Sequence, residues 1–174
     1  HFNRKGFSGT SLDDIAESLD VSKGAFYYHF ANKEALLSQC YEFTLDQFER
    51  ITSEVEQTKL SPIGKLGSVC TEIFELQNSD RGPLIRYTTI TALPPDLRRA
   101  VLHRTEEIHA KLGEVIAKGI SEGSIENQSV LVTRHLMVSA INAAVGIDQW
   151  RRLDDLTSAA HDFFDVFFFG LKPR

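Results

Sequence analysis

The side chains best suited to chemistry in this chain are a group of anion ligands: Ser22, Lys23, Tyr27, Tyr28, His29 and Lys33. Ser22 and Lys23 open a short helical pattern, where free backbone N–H groups and the helix dipole favour phosphate. Gly24 has no side chain, so the backbone there can come close to base edges. Tyr27, Tyr28 and His29 can donate hydrogen bonds to phosphate oxygens, contacts that position a protein on a duplex without reading its sequence. Lys33 adds a positive charge at the start of the next helix. The blander reading gives Tyr27 and Tyr28 to a small core and leaves Lys23 and His29 solvated.

The elements that must position these groups are legible from helix punctuation. Thr10 precedes SLDDIAESL, and Asp13 follows it by three, a capping-box-like start. Ile15 and Leu19 lie four apart on one face, and Ala16 lets a second helix approach. Asp20 and Val21 interrupt the pattern without a long loop. Ser22 caps a second helix, KGAFYYHF, whose Phe26 and Phe30 are expected to pack on Ile15 and Leu19. Asn32 caps a third helix from Lys33. Two short helices separated by about three residues match a helix-turn-helix, whose second helix enters a DNA major groove.

The run GFSGTSLDDIAESLDVSKGAFYYHFANKEALL, from Gly6 through Leu37, resembles the DNA-binding region of the TetR family of bacterial transcriptional regulators. The resemblance implies an all-α homodimer with an N-terminal reading head and a larger helical effector domain. It also implies repression of a palindromic double-stranded DNA operator, with release by a small molecule. Carried over by position, Thr10 corresponds to a phosphate contact. Ser22, Lys23, Gly24 and Ala25 fall where the family reaches bases or adjoining backbone. Tyr27, Tyr28, His29 and Lys33 match its phosphate contacts. The family has a helix before this region, and His1-Phe2 resembles only its end, so that helix is expected to be truncated. The expected domains are residues 1–44, a three-helix helix-turn-helix unit, and residues 45–174, a helical bundle for ligand binding and dimerisation.

Charge runs against the usual expectation for a DNA binder. The 174 residues carry a formal charge of −5. Over residues 1–45, Arg4, Lys5, Lys23 and Lys33 face Asp13, Asp14, Glu17, Asp20, Glu34 and Glu42. Placement resolves part of this tension: Lys23 and Lys33 stand at helix starts, whereas Asp13, Asp14 and Glu17 fall on the preceding helix. Modest non-specific DNA affinity is the consequence. Cys40 and Cys70 offer neither a disulfide framework nor metal-ligand spacing, and reduced structural thiols are expected rather than a redox pair. No signal peptide is visible and no run approaches about 18 apolar residues, so a cytoplasmic protein with no membrane contact is expected.

Helical periodicity continues to the end. Lys33 to about Gln57 reads as one helix, with Leu36, Cys40, Phe43, Phe48, Ile51 and Val55 as its apolar positions. Pro62 is placed for a first helical turn, and Ser79–Pro83 is a break. A short helix over 84–92, a long one over about 96–121 ending at Gly123, and two more over 127–150 and 156–171 follow. The last two are expected to form the dimer, through Leu136, Ala140 and Ala144 on one and Phe163, Phe164, Phe167, Phe168 and Leu171 on the other. Val166 and Phe169 leave the final helix nearly apolar all round, more than one neighbour covers. A symmetric dimer would set two reading heads about 34 Å apart on successive major grooves.

An effector site is expected among polar or aromatic residues on otherwise apolar helices: Phe74, Tyr87, Thr88, Thr91, His103, Met137, Asn142 and Trp150. Tyr87 and Thr91, four apart, are the best pair, and the mixture suits a largely apolar ligand. No cofactor is expected. Against an enzyme stand the lack of a P-loop, nucleophile elbow or zinc cluster. Glu106 and His109 resemble half of a helical di-iron motif, but no matching carboxylates appear elsewhere. The alternatives are a helical ligand-binding or interaction module without DNA binding, or a helical metal-dependent enzyme.

Overall fold

The computed structural model describes residues 1–145 and 156–169, excluding the side chains of residues 144, 145, 156, 157, 159, 160 and 169. Among the described residues the chain is all α, with no strand. The helices are α1 (Phe2–Lys5), α2 (Leu12–Ser18), α3 (Lys23–His29), α4 (Lys33–Glu56) and α5 (Pro62–Asn78). A 3-10 turn (Tyr87–Ala92) precedes α6 (Pro95–Ser121), α7 (Val130–Val145) and α8 (Leu156–Phe169). Among the described residues no helix is long and apolar enough to cross a membrane.

The chain divides into two compact units. The first joins His1–Asp46 to Ile85–Arg104. Its core includes Phe2, Leu12, Ile15, Ala16, Phe26, Leu37, Tyr41 and Leu45. In this part of α4 the buried register is one residue off the expected Leu36, Cys40 and Phe43: Phe43 is exposed and Leu37, Tyr41 and Leu45 are inside. Both registers are apolar here, and tertiary packing selects the one that carries the Tyr41 hydroxyl inward.

Tyr41 ties together segments far apart in sequence. Its Oη donates to the Arg86 carbonyl at 3.0 Å and lies 2.9 Å from Thr89 Oγ1. The Ile85 N–H donates to Thr44 Oγ1 (3.2 Å), and the Arg86 N–H donates to Asn3 Oδ1 (2.9 Å). These bonds satisfy backbone groups of Ile85 and Arg86, which lie outside regular structure, and they tie the start of the 85–104 segment to this unit. Burial raises the Tyr41 phenol to about 12. Tyr41→Phe is expected to cost about 1–2 kcal/mol by orphaning buried acceptors. The raised value means that the unfolded phenol ionises first. This contribution to stability is complete below about pH 10 and is lost as pH rises toward 12. Urea titrations across that window should show a shallower pH dependence for Tyr41→Phe than for the parent.

The second unit joins Gln47–Leu84 to Thr105–Arg174. Helix α5 packs on α7 and α8. Leu66, Val69, Cys70, Ile73 and Phe74 of α5 meet Leu112, Ile116, Ile125, Met137, Ile141, Phe164 and Phe168 in one apolar cluster. Ser61 caps α5 by accepting from the Gly64 N–H, and Pro62 sits in the first turn. Helix α6 ends in a Schellman turn: the Ser124 N–H reaches the Gly119 carbonyl (2.9 Å) and Gly123 takes φ +74°. Gly119 itself is required for close packing, since a Cβ there would stand 2.5 Å from Ile125 Cδ1. Both cysteines are free, and burial raises both thiols, which lowers their reactivity.

Candidate nucleic-acid interface

Helix α2 starts one residue later than Thr10 implies. Ser11 is the cap, accepting from the Asp14 N–H at 3.0 Å. Thr10 is buried and its hydroxyl donates to the Gly6 carbonyl at 2.7 Å. The two adjacent hydroxyl residues compete for one role, and the approach of the Gly6 carbonyl decides it.

The link from α2 to α3 is a second Schellman turn. The Val21 N–H donates to the Ala16 carbonyl and the Asp20 N–H to the Glu17 carbonyl, both at 3.1 Å. Asp20 supplies the left-handed residue, φ +54°, a conformation that Asp tolerates better than most side chains. Leu19, expected to pack on Phe26 and Phe30, becomes the helix cap and is 60% exposed. Phe26 alone of that aromatic pair is fully buried; its ring lies 5.1 Å from that of Phe30.

Ser22 then caps α3, accepting from the Ala25 N–H at 3.2 Å. Ser22→Ala should lower stability by about 1 kcal/mol. It should also weaken DNA binding beyond what thermal unfolding accounts for, because the N–H groups it organises face the proposed phosphate. Anisotropy titrations well below the melting temperature separate the two effects.

Around this cap the structure leaves Lys23, Gly24, Ala25, Tyr27, Tyr28 and His29 exposed on one short helix. A Cβ on Gly24 would meet nothing within 4 Å, so its surface is open to a ligand. Tyr28 is 87% exposed, its ring set edge-on to His29. Lys33 is turned back: its Nζ donates to the Thr10 carbonyl at 2.9 Å and lies 4.3 Å above the Phe7 ring. Asn32 caps α4 through the Ala35 N–H.

Sequence reasoning missed Asp13. Its Oδ2 accepts from Lys23 Nζ at 2.6 Å and its Oδ1 from Tyr27 Oη at 3.2 Å. The Lys23 hydrogen bond holds the Asp13 carboxyl below its ordinary range, and Asp13 holds the Lys23 ammonium above its own. The partners are ten and fourteen residues away, so no local pattern announces them.

The residues expected to hold an effector do not converge. Phe74 and Met137 are core residues of the second unit, and Asn142 is exposed on α7. Tyr87, Thr88, Thr91 and His103 are exposed in the first unit. The predicted α-helical pairing of Tyr87 with Thr91 fails because residues 87–92 form a 3-10 turn, in which positions three apart align. Trp150 lies outside the described residues. An unforeseen open groove of about 470 Å³ runs along α5 and α8, lined by Gly64, Gly67, Ser68, Glu72, His161 and Asp165 among others. Glu106 Oε1 accepts from Arg134 at 2.8 Å and its Oε2 is 4.0 Å from His109. Among the described residues no group of three or more His, Cys, Asp or Glu is placed to hold a metal ion.

The expected dimer residues divide similarly. Phe164 and Phe168 point into the core, with Phe163 and Phe167 half-buried beside them. The exposed apolar positions are Leu131, Val132 and Leu136 on α7 and Val166, 80% exposed, on α8. Ala140 is half-buried. The Ala144 side chain and Leu171 lie outside the described residues.

Residues 1–40, which span α1 to α3 and the first two turns of α4, match the family described as bacterial regulatory proteins, tetR family. Over 117 residues, 67% of this chain, the sequence is 27% identical to the biofilm operon icaADBC HTH-type negative transcriptional regulator IcaR of Staphylococcus epidermidis. The match spans 62% of that relative's length, under two thirds. The fold is similar to that of the ketosteroid transcriptional regulator KstR2 of Mycobacterium tuberculosis, with a TM-score of 0.83, 18% identity and coverage of 99% of this chain and 90% of that one. It is also similar to AibR in complex with isovaleryl coenzyme A and operator DNA: TM-score 0.75, 19% identity, coverage 98% and 92%. The matched stretch contains the capped and exposed α3, so the likeness to bacterial regulatory proteins of the tetR family is carried by residues 1–40.

Proposed function

We propose that this chain is a sequence-specific DNA-binding transcriptional regulator, a homodimer that represses from a palindromic operator and is released by a small-molecule effector. The observation that carries this reading is α3 itself: a Ser-capped helix start beside an open Gly24, with Tyr28 and His29 exposed and unused by the core. Ser22, Lys23, Gly24 and Ala25 reach base edges and adjoining backbone. Tyr27, Tyr28, His29 and Lys33 take phosphates, and Thr10 supports them by positioning Lys33 through its carbonyl. Residues 1–44 serve as the reading domain and 45–174 as the domain for effector and partner subunit. Leu136, Ala140, Phe163 and Phe167 contribute to the subunit contact, which the exposed Leu131, Val132 and Val166 enlarge. The effector is largely apolar. The chain acts in the cytoplasm and has no enzymatic activity of its own. The AibR complex, which pairs a coenzyme A ester with operator DNA, supports response to a ligand, and the negative regulator IcaR supports repression.

Titrating a labelled duplex of mixed sequence with the full chain tests this reading. Binding should be present near 50 mM salt and weaken by about 10²–10³ by 200 mM, as expected when several phosphates are contacted. No binding at the lower salt would refute it.

A further inference from the structure

Two of the α3 donors assigned to DNA already hold an anion. Asp13 projects from α2 and takes Lys23 Nζ on one oxygen and Tyr27 Oη on the other, at 2.6 and 3.2 Å. A carboxylate that offers two oxygens to an ammonium and a phenol makes the same demand as the two free oxygens of a DNA phosphate. Lys33 provides the contrast: it rests against a carbonyl and an aromatic ring, both neutral, so no charge must be displaced when it turns outward. Asp13 and Lys23 are both solvent-accessible, at 44% and 67% of their side chains, so incoming phosphate can reach the pair.

We propose that Asp13 is an internal phosphate surrogate, which occupies Lys23 and Tyr27 in the free protein and must be displaced when DNA binds. The inference rests on the DNA-binding reading and adds a residue that sets its strength. Binding at Lys23 is then an exchange of one anion for another. The released Asp13 carboxylate faces the duplex and takes up a cation from solution, cancelling part of the counterion release that Lys23 would otherwise give. The result is a threshold that lowers affinity for every sequence, because Lys23 and Tyr27 must leave Asp13 on any duplex.

The test compares the parent chain, Asp13→Asn, Lys23→Ala and the double variant by fluorescence anisotropy, using a mixed-sequence duplex across a salt series. Asp13→Asn should bind about threefold to tenfold tighter near 50 mM salt, with a log–log salt slope steeper by about 0.9. Most of that gain should vanish in the Lys23→Ala background. Its melting midpoint should stay within about 2 °C of the parent's, since an exposed ion pair contributes little to folding. Asp13→Ala repeats the comparison without a side-chain amide that can accept the same bonds. Weaker binding by both Asp13 variants would overturn the proposal, making Asp13 a positioner of DNA-ready donors. An equal gain with and without Lys23 would also overturn it, reducing the effect to lost charge. If no chain, parent included, binds at 50 mM salt, the DNA-binding reading itself has failed.

Discussion

Phe74→Ala is expected to lower stability by about 3–5 kcal/mol, the range for emptying an aromatic site in a packed core. Phe74 is 1% exposed and lies in the α5 face that contacts both α7 and α8. Its ring meets Phe164 edge-on at 6.4 Å, a geometry that adds attraction beyond burial. Neighbouring Ile73 and Cys70 are themselves inside the cluster, so the space cannot close without moving helices. A domain of this size is stable by only about 5–15 kcal/mol, so the variant loses a large share of the total. Urea unfolding followed by circular dichroism measures the loss. A cost under about 1 kcal/mol would mean that α5, α7 and α8 do not enclose Phe74 as described.

Tyr28→Ala should behave in the opposite way. Among the described residues its side chain has no hydrogen-bond partner, and at 87% exposure its ring meets only solvent and the edge of His29, so unfolding should shift by no more than about 0.5 kcal/mol. DNA affinity should fall by about 10- to 100-fold, the worth of a hydrogen bond to a charged phosphate oxygen. The loss should be uniform across sequences, because a phosphate contact carries no base information. Tyr28→Phe separates the hydroxyl from the ring and should reproduce most of the loss. Lys23→Ala, at the helix start beside Gly24, should weaken binding less and relax sequence preference as well. Normal duplex binding by Tyr28→Ala would remove α3 from the groove.

The contrast between these residues shows what the sequence could reveal. Ser22, Asn32, Pro62 and Gly123 announce helix ends through one residue's own chemistry, and the structure uses each as expected. Where two neighbours offer the same chemistry, local reading slips by one. Ser11 takes the cap that Thr10 was expected to provide, and Leu37 and Tyr41 take the core positions expected of Leu36 and Cys40. Contacts across long separations leave no periodic trace. Tyr41 reaches Arg86 across 45 residues, and that reach attaches residues 85–104 to the first unit. Asp13 reads as the acid of a capping-box-like helix start until α3 folds against α2. The dispersal of the expected effector residues has the same origin: a polar residue on an apolar helix signals a partner but not which one.

Selection from a pool of random duplexes at fixed salt, followed by sequencing of what the folded dimer retains, tests the central claim most directly. The predicted result is an enriched palindrome whose half-sites are centred about one helical turn apart, or a multiple of it, each read by one α3. A folded dimer that enriches no sequence, and that holds DNA no better than Tyr28→Ala does, would contradict it.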